Sequence, residues 1–449
     1  MKQIRLFAFD MNCVGHIQQG MWTHPRDRST EYTALDHWVE LARTLERGWF
    51  DGLFLADVLG VYDVFGADPA AAIRHGVQIP VNDPMMLVPA MAHATTHLGF
   101  GVTANLSYEP PYAFARRMST LDHLTRGRIG WNVVTGYLDS AARAMGWAAQ
   151  TGHDARYDMA DEYMEVVYKL WEGSWADDAV RRDRVGGVYA EPSRVREVQH
   201  EGVHFRMAGV HLAEPSPQRT PVLFQAGSSG RGRVFAGAHA ECVFVNGGAP
   251  GVVRGHVEAI RAAAVAAGRA PGDVLVFVGV SVVVAETAAG AAAKLEDYRR
   301  YASVEGALVH ASASLGIDLE AFGMDEVFEN GAAPGRGITS NLAAAAQEGM
   351  TKRKLIERMV LGSRQMPIVG DAAQVADALG AWMETGVDGF ILSRTVTPEC
   401  FVDFAELVVP ELQRRGMFRE AYAAGTLRGK LFGMDRLPGS HPAARERWD

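Results

Sequence analysis

LDHWVELARTLERGWFDGLFLAD, residues 35–57, holds the pattern on which the fold is decided. Its first half places Leu35, Trp38, Val39, Ala42 and Leu45 at spacings of 3, 1, 3 and 3, an apolar stripe along one helix face. Gly48 follows where a helix C-cap favours glycine. Its second half, GLFLAD (52–57), is a short continuous apolar run, the reading of a strand buried on both faces. A run of the same kind, IRLFAF (4–9), lies upstream. The segment therefore reads strand, helix, strand.

Six further runs extend the pattern: GFGVTAN (99–105), RIGWNVV (128–134), PVLFQAG (221–227), ECVFVN (241–246), VLVFVGVSVVV (274–284) and DGFILS (388–393). A second helical stripe, Tyr157, Ala160, Met164, Val167 and Trp171, precedes the fifth run. Eight buried strands separated by helices predict a (β/α)8 TIM barrel, with a doubly wound open sheet as the alternative. The chain is read as a single domain over residues 1–449. Its extra length falls in three segments, near 60–84, 175–220 and 300–372. These are expected at the C-terminal face of the barrel, where loops build active sites and long insertions act as lids.

Composition narrows the function. Lys and Arg number 44 against 53 Asp and Glu, a net charge of −9, which excludes the basic face of a nucleic-acid binder. The longest apolar run, Val274 to Ala285, is too short to span a bilayer. Three cysteines (Cys13, Cys242, Cys400), far apart and odd in number, suit reduced thiols and a cytoplasmic location. The sequence contains no HExxH, no paired CxxC, no P-loop and no GxSxG, so no metal site is expected.

Polar residues end several of the apolar strands: Asp57, Thr103 with Asn105, and Asn132 with Thr135. Singly, each reads as a cap or turn residue; together on one barrel rim they read as a ligand site. GHDARYD (152–158) places His153 and Tyr157 four apart at a helix start, which favours anions and equally suits a cap followed by a core tyrosine. The loop QAGSSGRGR (225–233) presents Ser228 and Ser229 before a helix, a phosphate cradle to which Arg231 and Arg233 would add charge, or an ordinary βα turn. MNCVGH (11–16) follows the first strand, so His16 can reach the same face as an acid, a base or a packed loop histidine.

Several stretches also resemble one family: LARTLERGWFDGLFLADVLGVYD (41–63), EPPYAFARRMSTLDHLTRGRIGWN (109–132), WNVVTGYLDSAARAMG (131–146), HDARYDMADEY (153–163) and PSPQRTPVLFQAGSSGRGR (215–233). They are similar to the nitrilotriacetate, dibenzothiophene-sulfone and dimethyl sulfide monooxygenase branch of the bacterial-luciferase-like flavin monooxygenases. The similarity runs from about residue 4 to 430. It implies a TIM-like barrel, reduced FMN as cofactor, O2 as co-substrate and a separate NAD(P)H-dependent flavin reductase as partner. A homo-oligomer, dimer or tetramer, is usual for the family. Carried over by motif, Asp57, Thr103, Asn132, His153, Tyr157, Ser228 and Ser229 are the expected FMN contacts, and His16, Asp57 and Tyr157 the candidate catalytic residues.

The implied reaction oxygenates a small organic substrate and cleaves a C–S or C–N bond. AFDMNCVGH (8–16) with WTHPRDRS (22–29) resembles the dimethyl sulfide type. Where sulfone enzymes carry a His before a G-I-N-L segment, SASLGIDL (312–319) offers Ser314. Arg74, Arg336 and Lys352 are the charges available to a carboxylate substrate; Trp22, Phe65, Met85 and Phe244 are candidates for an apolar pocket. The alternatives are a riboflavin lyase using reduced FMN and O2, and a deazaflavin-dependent oxidoreductase on the same barrel.

Overall fold

The computed structural model describes residues 2–227, 229–328, 349–359, 361 and 367–448. Eight parallel strands close into a barrel: β1 (Arg5–Met11), β2 (Gly52–Ala56), β3 (Gly99–Asn105), β4 (Ile129–Val134), β5 (Val222–Gln225), β6 (Cys242–Val245), β7 (Leu275–Val280) and β8 (Gly389–Ser393). Each strand pairs with its neighbours in sequence, and β1 closes the ring by pairing with β2 (Phe9 opposite Phe54) and β8 (Phe7 opposite Ile391). The eight apolar runs are thus the eight barrel strands. The seventh run splits: Val282–Val284 leaves the barrel and pairs in parallel with Ile368–Gly370 outside it.

Alternate residues explain why the runs are continuous. On β1, Leu6 and Ala8 face the surrounding helices, while Phe7 and Phe9 point into the barrel. The inside is filled by aromatic rings. Phe7 meets Phe224 and Phe277 edge to face at 5.6 and 5.4 Å, and Phe54 meets Phe244 edge to face at 4.5 Å. Two interior strand positions are glycine because these rings leave no room. A Cβ on Gly101 would stand 2.7 Å from the Phe54 ring, and one on Gly130 would enter the Phe224 ring. The helix Leu427–Phe432 plugs the N-terminal end of the barrel with Leu427 and Leu431. Its Arg428 is fully buried, bonding Glu241 Oε1 at 2.7 Å and the carbonyls of Thr220 and Pro221 at 2.9 and 3.0 Å.

The helical stripe of 35–45 forms the helix Leu35–Arg47 with Gly48 as its C-cap. The second stripe forms His153–Tyr168, continued by a widened turn, Lys169–Gly173, that buries Trp171. The insertion of residues 60–84 and the described part of 300–372 stand at the barrel mouth. Residues 60–84 follow β2, and their Tyr62, Ala72 and Val77 pack with Val309 and Ala313 of the helix Val304–Leu315, which follows β7. Residues 175–220 do not join them. They lie between a helix and the start of β5, fold as two antiparallel hairpins, and sit at the opposite rim, where Gln218 Nε2 donates to the Ile129 carbonyl at 2.8 Å. A segment leading into a strand is delivered to that strand's N-terminal end, so this insertion cannot cover the mouth.

Gly130→Ala should destabilise the fold by about 1–3 kcal/mol through overpacking against Phe224. Gly255→Ala, on the exposed face of the helix Pro250–Ala266 with open space around it, should leave stability level or raise it slightly. Urea midpoints of the two variants check the contrast.

Candidate active site

At the C-terminal rim the strand ends converge on one cleft with two joined chambers, of about 310 and 210 Å3. Asp57, Val58, Thr103, Val134, Tyr137 and Ala226 border both.

Thr103 on β3 and Asn132 on β4 are paired in register, so their side chains leave neighbouring strands side by side. Asn132 Nδ2 donates to Thr103 Oγ1 at 3.0 Å, and Asn132 Oδ1 is left buried at the cavity wall without a partner among the described residues. Asp57, just beyond β2, is a carboxyl poised near neutrality. Burial pushes it up to about 7, the Val58 N–H opposes the rise, and Asp83 adds to it.

The larger chamber is apolar at its base. Phe54 and Phe244 form the floor, and Ile17 and Ile391 stand beside them. Phe9 meets the ring of His16 edge to face at 4.5 Å. His16 is buried, and its Nδ1 has no partner among the described residues. Burial, then the charge of Arg394, then His310 hold this imidazole well below its ordinary pKa, so it is neutral. The two mouth insertions roof the chamber with Tyr62 and Gln78 on one side and His310, Ser314 and Met359 on the other. The Tyr62 hydroxyl donates to Gln78 Oε1 at 2.6 Å and lies 2.8 Å from the Tyr137 hydroxyl, while its ring stacks on His310 at 5.7 Å.

The smaller chamber ends in an anion-binding arrangement. His153 and Tyr157 lie on one face of their helix, rings 5.2 Å apart, and both line the wall. Tyr157 Oη accepts from Gln225 Nε2 at 3.3 Å. It stands 3.0 and 2.9 Å from where Cβ atoms on Gly227 and Gly232 would lie, so the glycines keep this cradle open. Ser229 caps the helix Gly230–His239, accepting from the Gly232 N–H at 2.9 Å, which aims the helix N-terminus at the same place. Ser228 lies outside the described residues.

Arg156 went unnoticed in the sequence. It is buried, its guanidinium donates to the Thr151 carbonyl at 2.6 Å, its Nε has no partner, and it forms no ion pair among the described residues. A buried, uncompensated cation beside a helix N-terminus is a phosphate ligand in waiting. Its signal was present: Arg156 lies three residues after His153, on the same helix face. Arg231, expected to charge the loop, instead pairs with Asp158 and Asp161 and lies over the Tyr157 ring.

Other expectations sort as follows. Phe244 lines the larger chamber and Met85 an adjoining groove; Trp22 is tied to the His75 carbonyl and Phe65 packs within the mouth insertions. Arg74 and Lys352 line neither chamber, and Arg336 lies outside the described residues. Two separate features match FMN: an anionic phosphate suits Arg156, Tyr157 and Ser229, and a flat heterocycle with N–H groups suits Asn132 Oδ1 and Asp57.

Comparison with known proteins identifies the family. The family model of luciferase-like monooxygenases matches residues 16–389. The chain is 49% identical to a long-chain alkane monooxygenase of Geobacillus thermodenitrificans, over 99% of this chain and 98% of that protein. It is 45% identical to a dimethyl-sulfide monooxygenase of Hyphomicrobium sulfonivorans, over 99% and 94%. A solved structure of riboflavin lyase with modified FMN and riboflavin superposes with a TM-score of 0.94 at 38% identity, covering all of both chains. The chain belongs to the luciferase-like monooxygenase family.

Proposed function

We propose that this enzyme binds reduced FMN delivered by a separate NAD(P)H-dependent flavin reductase and uses O2 to oxygenate a small apolar molecule. In the dimethyl-sulfide-monooxygenase-like form of this reading, a C–S or C–N bond is cleaved. The observation that carries it is the polarity of the cleft: an anion pole of Arg156, Tyr157 and Ser229 at one end, and a chamber floored by Phe54 and Phe244 at the other. When bound, the flavin supplies the activation of oxygen. The chain anchors the phosphate, presents Asn132 and Asp57 to the ring, and keeps water from the reacting end.

Among the described residues, no Lys or Arg lines the larger chamber, which favours a thioether, an alkane or an amine over a polycarboxylate. The named substrates of the two relatives, long-chain alkanes and dimethyl sulfide, are themselves apolar. His16 and Tyr157 do different work in this reading. His16 offers a neutral imidazole to the reacting end, and Tyr157, whose hydroxyl burial holds above its ordinary pKa, remains a hydrogen-bond donor to the phosphate.

The test is a panel of dialkyl sulfides, n-alkanes, amines and riboflavin, mixed with 18O2 and the protein loaded with reduced FMN. Expected is one labelled oxygen in the product of an apolar member, with hydrogen peroxide falling below the level seen without substrate. Labelled cleavage of riboflavin alone would turn the assignment to a riboflavin lyase. Peroxide accounting for all the oxygen with every member would overturn it, and hydride transfer to a deazaflavin without oxygen uptake would replace it.

Arg156→Gln should weaken FMN binding about ten- to a hundredfold, the size of a lost charged hydrogen bond, with Ser229→Ala acting in the same direction. Fluorescence titration of FMN against the two variants measures both.

Asp57 predicts a pH dependence. A ring N–H from the flavin would stabilise the Asp57 carboxylate and lower its pKa in the complex. FMN affinity should therefore climb as pH rises to about 7 and level off above it. Asp57→Asn should flatten that profile, which the same titration repeated from pH 5 to 9 would show.

A further inference from the structure

We propose that Arg394 is a positioning residue of the active site, clamping the β1 loop so that His16 stands at the chamber wall. Nothing in the sequence marks it: it follows Ser393 at the end of β8, at the rim opposite in sequence to the loop it holds.

The geometry is a three-point clamp. The buried guanidinium pairs through Nη1 with Asp10 Oδ1 at 2.7 Å, and Nη2 donates to the carbonyls of Cys13 at 3.1 Å and Val14 at 2.7 Å. Those carbonyls open the turn that delivers His16 to the chamber two residues later. The far side of the turn is held by the second mouth element: the Gln78 N–H donates to the Gly15 carbonyl at 2.8 Å, and a Cβ on Gly15 would collide with the Gly76 carbonyl. The turn is therefore pinned between β8 and the 60–84 insertion, and an imidazole on it has little freedom to move. A lysine could keep the charge but not reach three acceptors at once from one nitrogen in a fork.

The clamp also places a cation behind the imidazole. The charged and titratable groups around His16 are Arg394 from β8, Asp10 and Cys13 from β1 and its loop, Asp57 from β2, Tyr62 from the first mouth insertion, Tyr137 after β4 and His310 from the second insertion. Burial raises Asp10 despite Arg394, and it raises Asp27, the other carboxyl acting on that guanidinium, so the charge cancelling Arg394 weakens as pH falls. Arg394 then opposes protonation of His16 at just the pH where a histidine would otherwise charge. A neutral His16 brings no charge into the dry chamber.

The activity arm of the test rests on the oxygenase reading; the spectroscopic arm does not. With 15N-histidine-labelled full-length protein, and His16 assigned by the signal missing in His16→Gln, the wild-type imidazole should stay neutral down to pH 5. In Arg394→Gln its midpoint should rise by about one pH unit or more. Arg394→Lys should leave the midpoint near wild type while product formed per O2 falls about tenfold, with FMN affinity within about threefold. That split separates charge from position. An unchanged His16 midpoint in Arg394→Gln, or full product yield in Arg394→Lys, would overturn the proposal. If Arg394→Gln does not fold, Arg394→Lys alone decides it through the yield. If the wild type gives no product with any substrate, the oxygenase reading fails, and the titration still decides whether Arg394 governs His16.

Discussion

The packing of phenylalanine rings inside the barrel is the constraint from which the rest follows. An eight-stranded barrel encloses a space that its own side chains must fill. Here Phe7, Phe54, Phe224, Phe244 and Phe277 fill it, and two neighbouring strands give up side chains at Gly101 and Gly130 to admit the rings. The plug has an upper surface, and that surface, Phe54 and Phe244, is the floor of the larger chamber. One set of residues thus stabilises the fold and sets how deep a substrate can descend. The helix Leu427–Phe432 closes the lower end, so among the described residues the way into the barrel is from the mouth.

Above the plug, the site is a set of polar groups left incomplete. Among the described residues, Asn132 Oδ1, Arg156 Nε and His16 Nδ1 are all buried without partners. Each such group costs roughly 1–3 kcal/mol to leave unpaired, and proteins seldom tolerate three within one cleft unless something else completes them. Their spread, from the anion pole past the paired strands to the apolar chamber, has the order of a phosphate, a ring and a reacting end. The fold supports that expense with the buried pairs Arg394–Asp10 and Arg428–Glu241, one at each rim.

Much of this was legible in the sequence, for a physical reason. A parallel strand buried on both faces must be continuously apolar, so all eight strands could be read off directly, and a polar residue ending such a run is conspicuous. Asp57, Thr103 and Asn132 were found that way, His153 and Tyr157 from their spacing at a helix start, and the structure gathers all five around one cleft. Groups that act through tertiary contact left no trace. Arg394 and His310 come from chain positions about 250 or more residues beyond the loops they face, and neither interrupts an apolar pattern. Arg156 was visible on the helix face but resembles a surface arginine until its burial is known. The hairpins of 175–220 were misplaced because length alone suggests a lid, whereas connectivity decides the rim: a segment leading into β5 must lie at that strand's beginning.

The roof of the chamber bears most on coupling oxygen to substrate. Water at the reacting end would divert oxygen to peroxide, so the chamber must close, and yet the substrate must enter from the mouth. The two mouth insertions meet at Tyr62, which touches both: its hydroxyl joins Gln78 and Tyr137, and its ring lies flat on His310 of the other insertion. Gln78 is also the residue whose N–H holds the His16 turn. Opening the roof at Tyr62 would therefore loosen the support of His16 from one side while Arg394 kept it from the other. An arrangement of this kind lets the entrance move without displacing the residue behind it, which is what a chamber that must both admit a substrate and stay dry requires.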